Sequence, residues 1–148
     1  MENETIVNLM KNIPFFNQLT QQEMEDLASL DSNVMRFAPS EFIIREGDFE
    51  FIVYILLKGV VRVVKTVPKE VTITKLKTGA IFGELSWVGK RARTTSVIAD
   101  GDVIALRLDV ESIDKFGLVL AKKIQDKLMN ILVTRLEKMN EQLSRLAR

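Results

Sequence analysis

The sequence predicts an α+β fold: an eight-stranded antiparallel β-roll (jelly roll) with N-terminal helices and a long C-terminal helix. Three observations predict it. Between Asn33 and Leu108, short segments rich in Val, Ile and aromatics recur at regular spacing, separated by turn residues, which is the signature of an antiparallel sandwich or roll. Before them, Thr20 followed by Glu23 has the capping-box pattern of a helix start. After them, Leu118 to Arg148 runs without Gly or Pro and with leucines at helical spacing.

The 148 residues fit one domain, divided into N-terminal helices (1–31), a roll (32–108) and C-terminal helices (109–148). With 47% hydrophobic and 28% charged residues the chain is that of a globular protein. Its 21 basic and 20 acidic side chains leave a net charge of +1, which gives no reason to expect nucleic acid or an anionic membrane as partner. His and Cys both count zero. A thiol nucleophile, a disulfide, a His- or Cys-ligated metal and a Ser-His pair are therefore excluded, and with them most hydrolase and metalloenzyme classes. The start, Met1-Glu2-Asn3-Glu4, is acidic where a secretory signal is basic. The longest apolar run, Phe51 to Leu57, is too short to span a bilayer. A cytoplasmic protein without a membrane span is expected.

The elements follow in order. Ile6, Val7, Leu9, Met10 and Ile13 repeat at three and four residues, and Pro14 stops that helix. The capped second helix carries Met24, Leu27, Ala28 and Leu30. Strands are expected over Asn33–Phe37, Glu41–Ile44, Ile52–Leu57, Val60–Val67, Val71–Leu76, Thr94–Ala99 and Val103–Leu108. Gly59 suits a tight hairpin between the third and fourth of these, and Asp100-Gly101-Asp102 a hairpin between the last two. Arg62 and Lys65 alternate with valines and read as solvent-facing. Asp109 can cap and Gly117 breaks a first short helix. In the last helix Leu120, Ile124, Leu128 and Leu132 step by four. Leu136, Met139, Leu143 and Leu146 then alternate three and four, as a and d positions of a two-heptad seam. About thirty residues at 1.5 Å each make roughly 45 Å of helix, more than such a domain covers. The first half is expected to pack on the roll and the second on another copy, giving a homodimer.

The roll is interrupted once, by Phe82-Gly83-Glu84-Leu85-Ser86-Trp87-Val88-Gly89-Lys90-Arg91-Ala92-Arg93-Thr94-Thr95-Ser96-Val97. A Gly-Glu turn, a segment long enough for one or two helical turns and an arginine feeding a β-branched strand make a plausible anion pocket. Amide N–H groups at a helix start point at a negative group, and a guanidinium reaches it from the next strand. A carboxylate repels a phosphate, so Glu84 would instead accept a hydroxyl of the same ligand. A guest with one phosphate and one free hydroxyl is implied. The competing reading is a surface Glu84–Arg93 ion pair worth about 0–1 kcal/mol.

The same residues carry a resemblance. Leu76-x-x-Gly79-x-x-Phe82-Gly83-Glu84-Leu85-Ser86, then nine residues from Glu84 to Arg93-Thr94-Thr95-Ser96-Val97, resembles the phosphate-binding cassette of cyclic nucleotide-binding domains. Those occur in catabolite activator proteins, regulatory subunits of cyclic-AMP-dependent protein kinase and cyclic-nucleotide-gated channels. The Arg45-Glu46-Gly47-Asp48 turn, followed by Tyr54-x-Leu56-x-x-Gly59, matches the family's second hallmark. The resemblance implies that Glu84 accepts the ribose 2′-hydroxyl and Arg93 pairs with the cyclic phosphate. It also implies a cradle formed by Gly83, Leu85, Ser86 and Thr94, with Phe82 and Thr95 completing the lining. Arg93 is preferred over Arg91 because the Thr-Thr-Ser-Val strand begins directly after it. Thr95 replaces a usual small alanine, and Trp87 either covers the wall or stacks on the ligand. Thr94 leaves cyclic AMP and cyclic GMP both open, cyclic AMP favoured. A ligand of roughly 22 non-hydrogen atoms at about −0.3 kcal/mol each gives micromolar binding.

Thr134 and Arg135 are a possible lid over the base, although a solvated helix face is the simpler reading. No cofactor and no metal are implied. The expected function is a non-catalytic sensor that signals through its C-terminal helices to an effector protein in trans or to a missing effector. No direct DNA binding is expected, because the chain ends at Arg148 within the helix where a DNA-reading relative continues into a helix-turn-helix. The alternatives are a ligand-free dimerisation module and, further off, a cupin-type enzyme lacking its usual His ligands.

Overall fold

The computed structural model describes residues 2–29, 33–84 and 89–147. Helix α1 (Glu2–Lys11) leads through a 3-10 turn (Pro14–Phe16) to α2 (Gln21–Ala28). The predicted capping box is formed in full: Glu23 N donates to Thr20 Oγ1 at 3.1 Å and Thr20 N to Glu23 Oε1 at 2.8 Å. Eight strands follow among the described residues: β1 (Val34–Phe37), β2 (Phe42–Ile44), β3 (Ile52–Lys58), β4 (Val61–Lys65), β5 (Val71–Leu76), β6 (Ile81–Phe82), β7 (Ser96–Ala99) and β8 (Val103–Asp109). A 3-10 segment (Val110–Phe116) then precedes α3 (Leu118–Leu146), and Gly117 separates the two as expected.

The strands form two four-stranded antiparallel sheets, ordered β1-β8-β3-β6 and β2-β7-β4-β5. This arrangement corrects both predicted hairpins. β3 and β4 lie in different sheets, as do β7 and β8. Gly59 and Asp100-Gly101-Asp102 are therefore corners at which the chain leaves one sheet for the other. The two corners lean on each other: Asp100 N donates to Val60 O at 2.9 Å, and a Cβ on Gly59 would stand 2.5 Å from Asp102 O. A glycine at positive φ serves a corner as readily as a hairpin, so composition alone does not separate the two. Among the described strands, the one hairpin between sequential strands joins β4 to β5. Strand β6 is only two residues long, too short to show an alternation, and pairs Tyr54 with Phe82 and Ile55 with Ile81.

β3 explains the layering. Val53, Ile55 and Leu57 join Leu106 and Leu108 in a core shared with α1, α2 and α3, whereas Ile52, Tyr54 and Leu56 join Val61, Phe82 and Val97 inside the roll. A strand buried on both faces reads as an unbroken apolar run. The first core also takes Leu120, Ala121, Ile124 and Leu128 of α3. α3 is tied to α2 as well, through Lys123 Nζ donating to Glu23 Oε1 at 2.8 Å. No helix among the described residues is long and apolar enough to cross a membrane.

Candidate functional site

A cavity of about 320 Å³ opens on the roll between β6 and β7. Ile44, Val63, Leu76, Ile81, Phe82 and Val97 line it with apolar surface, and Gly83, Glu84, Arg93, Thr94, Thr95 and Arg135 complete it. The structure thus gathers Phe82, Gly83, Glu84, Arg93, Thr94 and Thr95 in one place. Leu85, Ser86 and Trp87 lie outside the described residues. Arg91 does not line the cavity, and Arg93 does.

Arg93 is 4% exposed and is held by the chain on several sides. Its backbone N donates to Asp48 O and its own carbonyl accepts from Gly47 N, each at 2.8 Å. The Arg45–Asp48 turn is therefore the clamp that fixes Arg93. Glu46 stiffens that turn: its backbone N donates to Ser96 Oγ at 2.8 Å, and its Oε1 accepts from Thr66 N at 2.8 Å. The Thr66 backbone N–H lowers the Glu46 pKa; burial opposes this, and the Thr66 hydroxyl and Lys65 add to the lowering. Lys65, expected to face solvent, is exposed but donates to the Thr94 carbonyl at 2.8 Å. Arg62 is half-buried and donates to Thr72 Oγ1 at 3.1 Å.

The Arg93 guanidinium donates through Nη1 to Gly83 O and through Nη2 to Ile52 O, both at 2.7 Å, with Glu50 Oε1 at 3.4 Å from Nη2. Gly83 is required here. It has φ +88°, and a Cβ would stand 2.7 Å from Ile52 O and 2.9 Å from Arg93 Nη1. Five N–H donors sit on a guanidinium, and buried Nε has no partner among the described residues. An unpaired buried donor costs about 1–3 kcal/mol.

Glu84 and Arg93 do not pair with each other. Glu84 is 6% exposed and accepts from Arg135 Nη1, which arrives from α3, while Arg135 Nη2 donates to Ile81 O at 2.7 Å. Partial burial lowers the Arg135 pKa. For Arg135, then, the simpler expectation of a solvated helix face gives way to a contact with the site. Thr134 does not line this cavity. It lines a second one of about 430 Å³ beyond Arg135, between the Pro14–Phe15 turn and α3. Sequence reasoning missed Glu50, Ile52 and Lys65; Ile52 and Glu50 follow the Gly-Asp turn directly, but nothing in their side-chain pattern marks them as partners of Arg93. No group of three or more His, Cys, Asp or Glu that could hold a metal ion occurs among the described residues.

The chain is similar to known proteins. The family profile "Cyclic nucleotide-binding domain" matches residues 34–117. The chain is 34% identical over 110 residues to the cAMP-dependent protein kinase type II regulatory subunit of Drosophila melanogaster, covering 72% of this chain and 29% of that protein. It is 40% identical over 84 residues to the potassium/sodium hyperpolarization-activated cyclic nucleotide-gated channel 4 of Homo sapiens, covering 57% of this chain and 6% of the channel. The chain thus spans less than a third of either relative. Among solved structures, the Thermus thermophilus catabolite activator protein superposes with a TM-score of 0.70 at 25% identity, over 90% of this chain and 63% of that one.

Proposed function

This chain belongs to the cyclic nucleotide-binding domain family, and on that footing we propose that it is a non-catalytic, cytoplasmic sensor of a cyclic mononucleotide, with cyclic AMP favoured over cyclic GMP. The observation that carries this reading is one cavity holding a carboxylate, a buried guanidinium and two threonines on an apolar wall. Arg93 faces the single negative charge of a cyclic phosphate, with Thr94 and Thr95 beside it. Charge-assisted bonds of this kind contribute about 1.5–3 kcal/mol each. Glu84 accepts the ribose hydroxyl, and Ile81, Phe82 and Val97 give the ligand an apolar bed. Of the two lid candidates, Arg135 borders this cavity and holds Glu84, whereas Thr134 does not border it.

Output passes through α3, whose anchored half joins the helical core while Leu136, Met139, Leu143 and Leu146 stay exposed. Those four residues form the seam for a second copy, and the dimer acts on an effector protein. By linkage, a partner that prefers one position of α3 changes nucleotide affinity by the same factor that the nucleotide changes partner affinity.

Titration calorimetry with cyclic AMP and cyclic GMP tests the reading. Micromolar affinity is expected, and Arg93→Lys, which keeps the charge but loses the fork, weakens it at least about tenfold. No heat with either nucleotide up to millimolar concentration overturns it. That outcome would favour a ligand-free dimerisation unit, a reading that draws on the engagement of Glu84 by Arg135.

A further inference from the structure

Glu84 and Arg135 meet across 51 residues of chain, and among the described residues no other carboxylate lines the cavities that Arg135 borders. On α3 the positions three and four residues away are Ile131, Leu132, Lys138 and Met139, so no acidic neighbour on the helix competes for the guanidinium. Arg135 borders both cavities, and Glu84 is the sole carboxylate among the described residues that line either. The second cavity adds Lys127 and Lys138, whose charges push a guanidinium away. A hydrogen bond to Ile81 O at 2.7 Å fixes the other end of the fork.

We infer that Arg135 sets the ligand threshold by competing with the ligand hydroxyl for Glu84. This rests on the sensor reading above. A ribose hydroxyl donates to a carboxylate oxygen, and Arg135 already occupies Oε1. A carboxylate already paired with a guanidinium is a weaker acceptor, so the hydroxyl gains its full bond to Oε1 only when the side chain moves. Room for that movement exists without shifting the anchored half of α3, because the cavity of about 430 Å³ lies on the far side of the same side chain. The displaced guanidinium then sits near two lysines, an unfavourable placement that returns it to Glu84 when the ligand leaves. Arg135 is a positioning residue here, acting through Glu84.

Calorimetry with cyclic AMP on the wild type and Arg135→Ala measures the competition. The expected result is about fivefold to thirtyfold tighter binding by the variant, since a charge-assisted bond is released but one partner is partly solvent-screened. Heat from the wild type combined with unchanged or weaker binding by Arg135→Ala overturns the threshold role alone. Weaker binding would mean that Arg135 grips the ligand. Silence from both proteins with both nucleotides overturns the sensor reading and the threshold with it. A second measurement needs no nucleotide: the thermal midpoints of Glu84→Gln, Arg135→Ala and the double variant. Non-additive midpoints are expected from a direct contact, and additive ones overturn it.

Discussion

The two halves of α3 are written in the same residues and live in opposite surroundings. Leu120, Ala121, Ile124 and Leu128 are 3%, 3%, 0% and 1% exposed, whereas Leu136, Met139, Leu143 and Leu146 are 59%, 58%, 61% and 82% exposed. Both halves are amphipathic and leucine-rich. The difference lies in what stands opposite. The first half meets α1, α2 and the outer face of β3 and β8, and the second runs past the end of the roll. Arg135 is at the joint. Helical periodicity thus identifies the face that wants cover, while the cover itself is a matter of tertiary geometry.

The comparison breaks most visibly under truncation. Ile124→Ala should cost the folded chain about 2–5 kcal/mol, read as a lower urea midpoint. Leu143→Ala should cost less than about 0.5 kcal/mol in dilute protein. Equal losses would show that the distal half is as firmly packed as the proximal one. A smaller effect is expected on association. Sedimentation of the wild type at high micromolar concentration should give a dimer, and Leu136→Lys with Leu143→Lys should give a monomer. A monomeric wild type removes the seam.

The smallest effect concerns the tie between α3 and α2. Burial raises the Glu23 pKa, but the bonds from Lys123 and Thr20 and the Lys123 charge outweigh it, so the carboxyl stays below its ordinary value of 4.5. A depressed folded value means stability that is full above 4.5 and is lost as the pH falls through the lower, folded value. Glu23→Gln should therefore be less stable than wild type at neutral pH by roughly 0.5–1 kcal/mol. The gap should close in acid. A gap that persists at low pH would assign the loss to packing.

Much of this was legible in advance. The capping box and Gly117 as the break before α3 follow from short-range chemistry, and the structure has both; it also sets Arg93, and not Arg91, in the cavity wall. The misreadings share one cause. Gly59 and Gly101 announce a change of direction, but whether the chain folds back or crosses to the other sheet depends on strands far away. The Arg135–Glu84 contact likewise joins positions 51 residues apart, so Arg135 could be named as a possible lid while its carboxylate partner could not.

The two corners also bear on how the chain reaches this fold. Because sequential strands switch sheets, among the described strands only β4 and β5 form a pair that a growing chain can close locally. β1 pairs Val34 with Leu106, and β3 pairs Ile52 with Asp109. During synthesis β1 therefore has no partner until residues beyond 100 have emerged, and most sheet contacts form late and across long loops. Such topology places folding toward the millisecond-to-second range rather than the microsecond range of helical bundles. For that interval the apolar faces of β1 and β3 are uncovered, which makes nascent-chain protection part of what this roll demands of its cell.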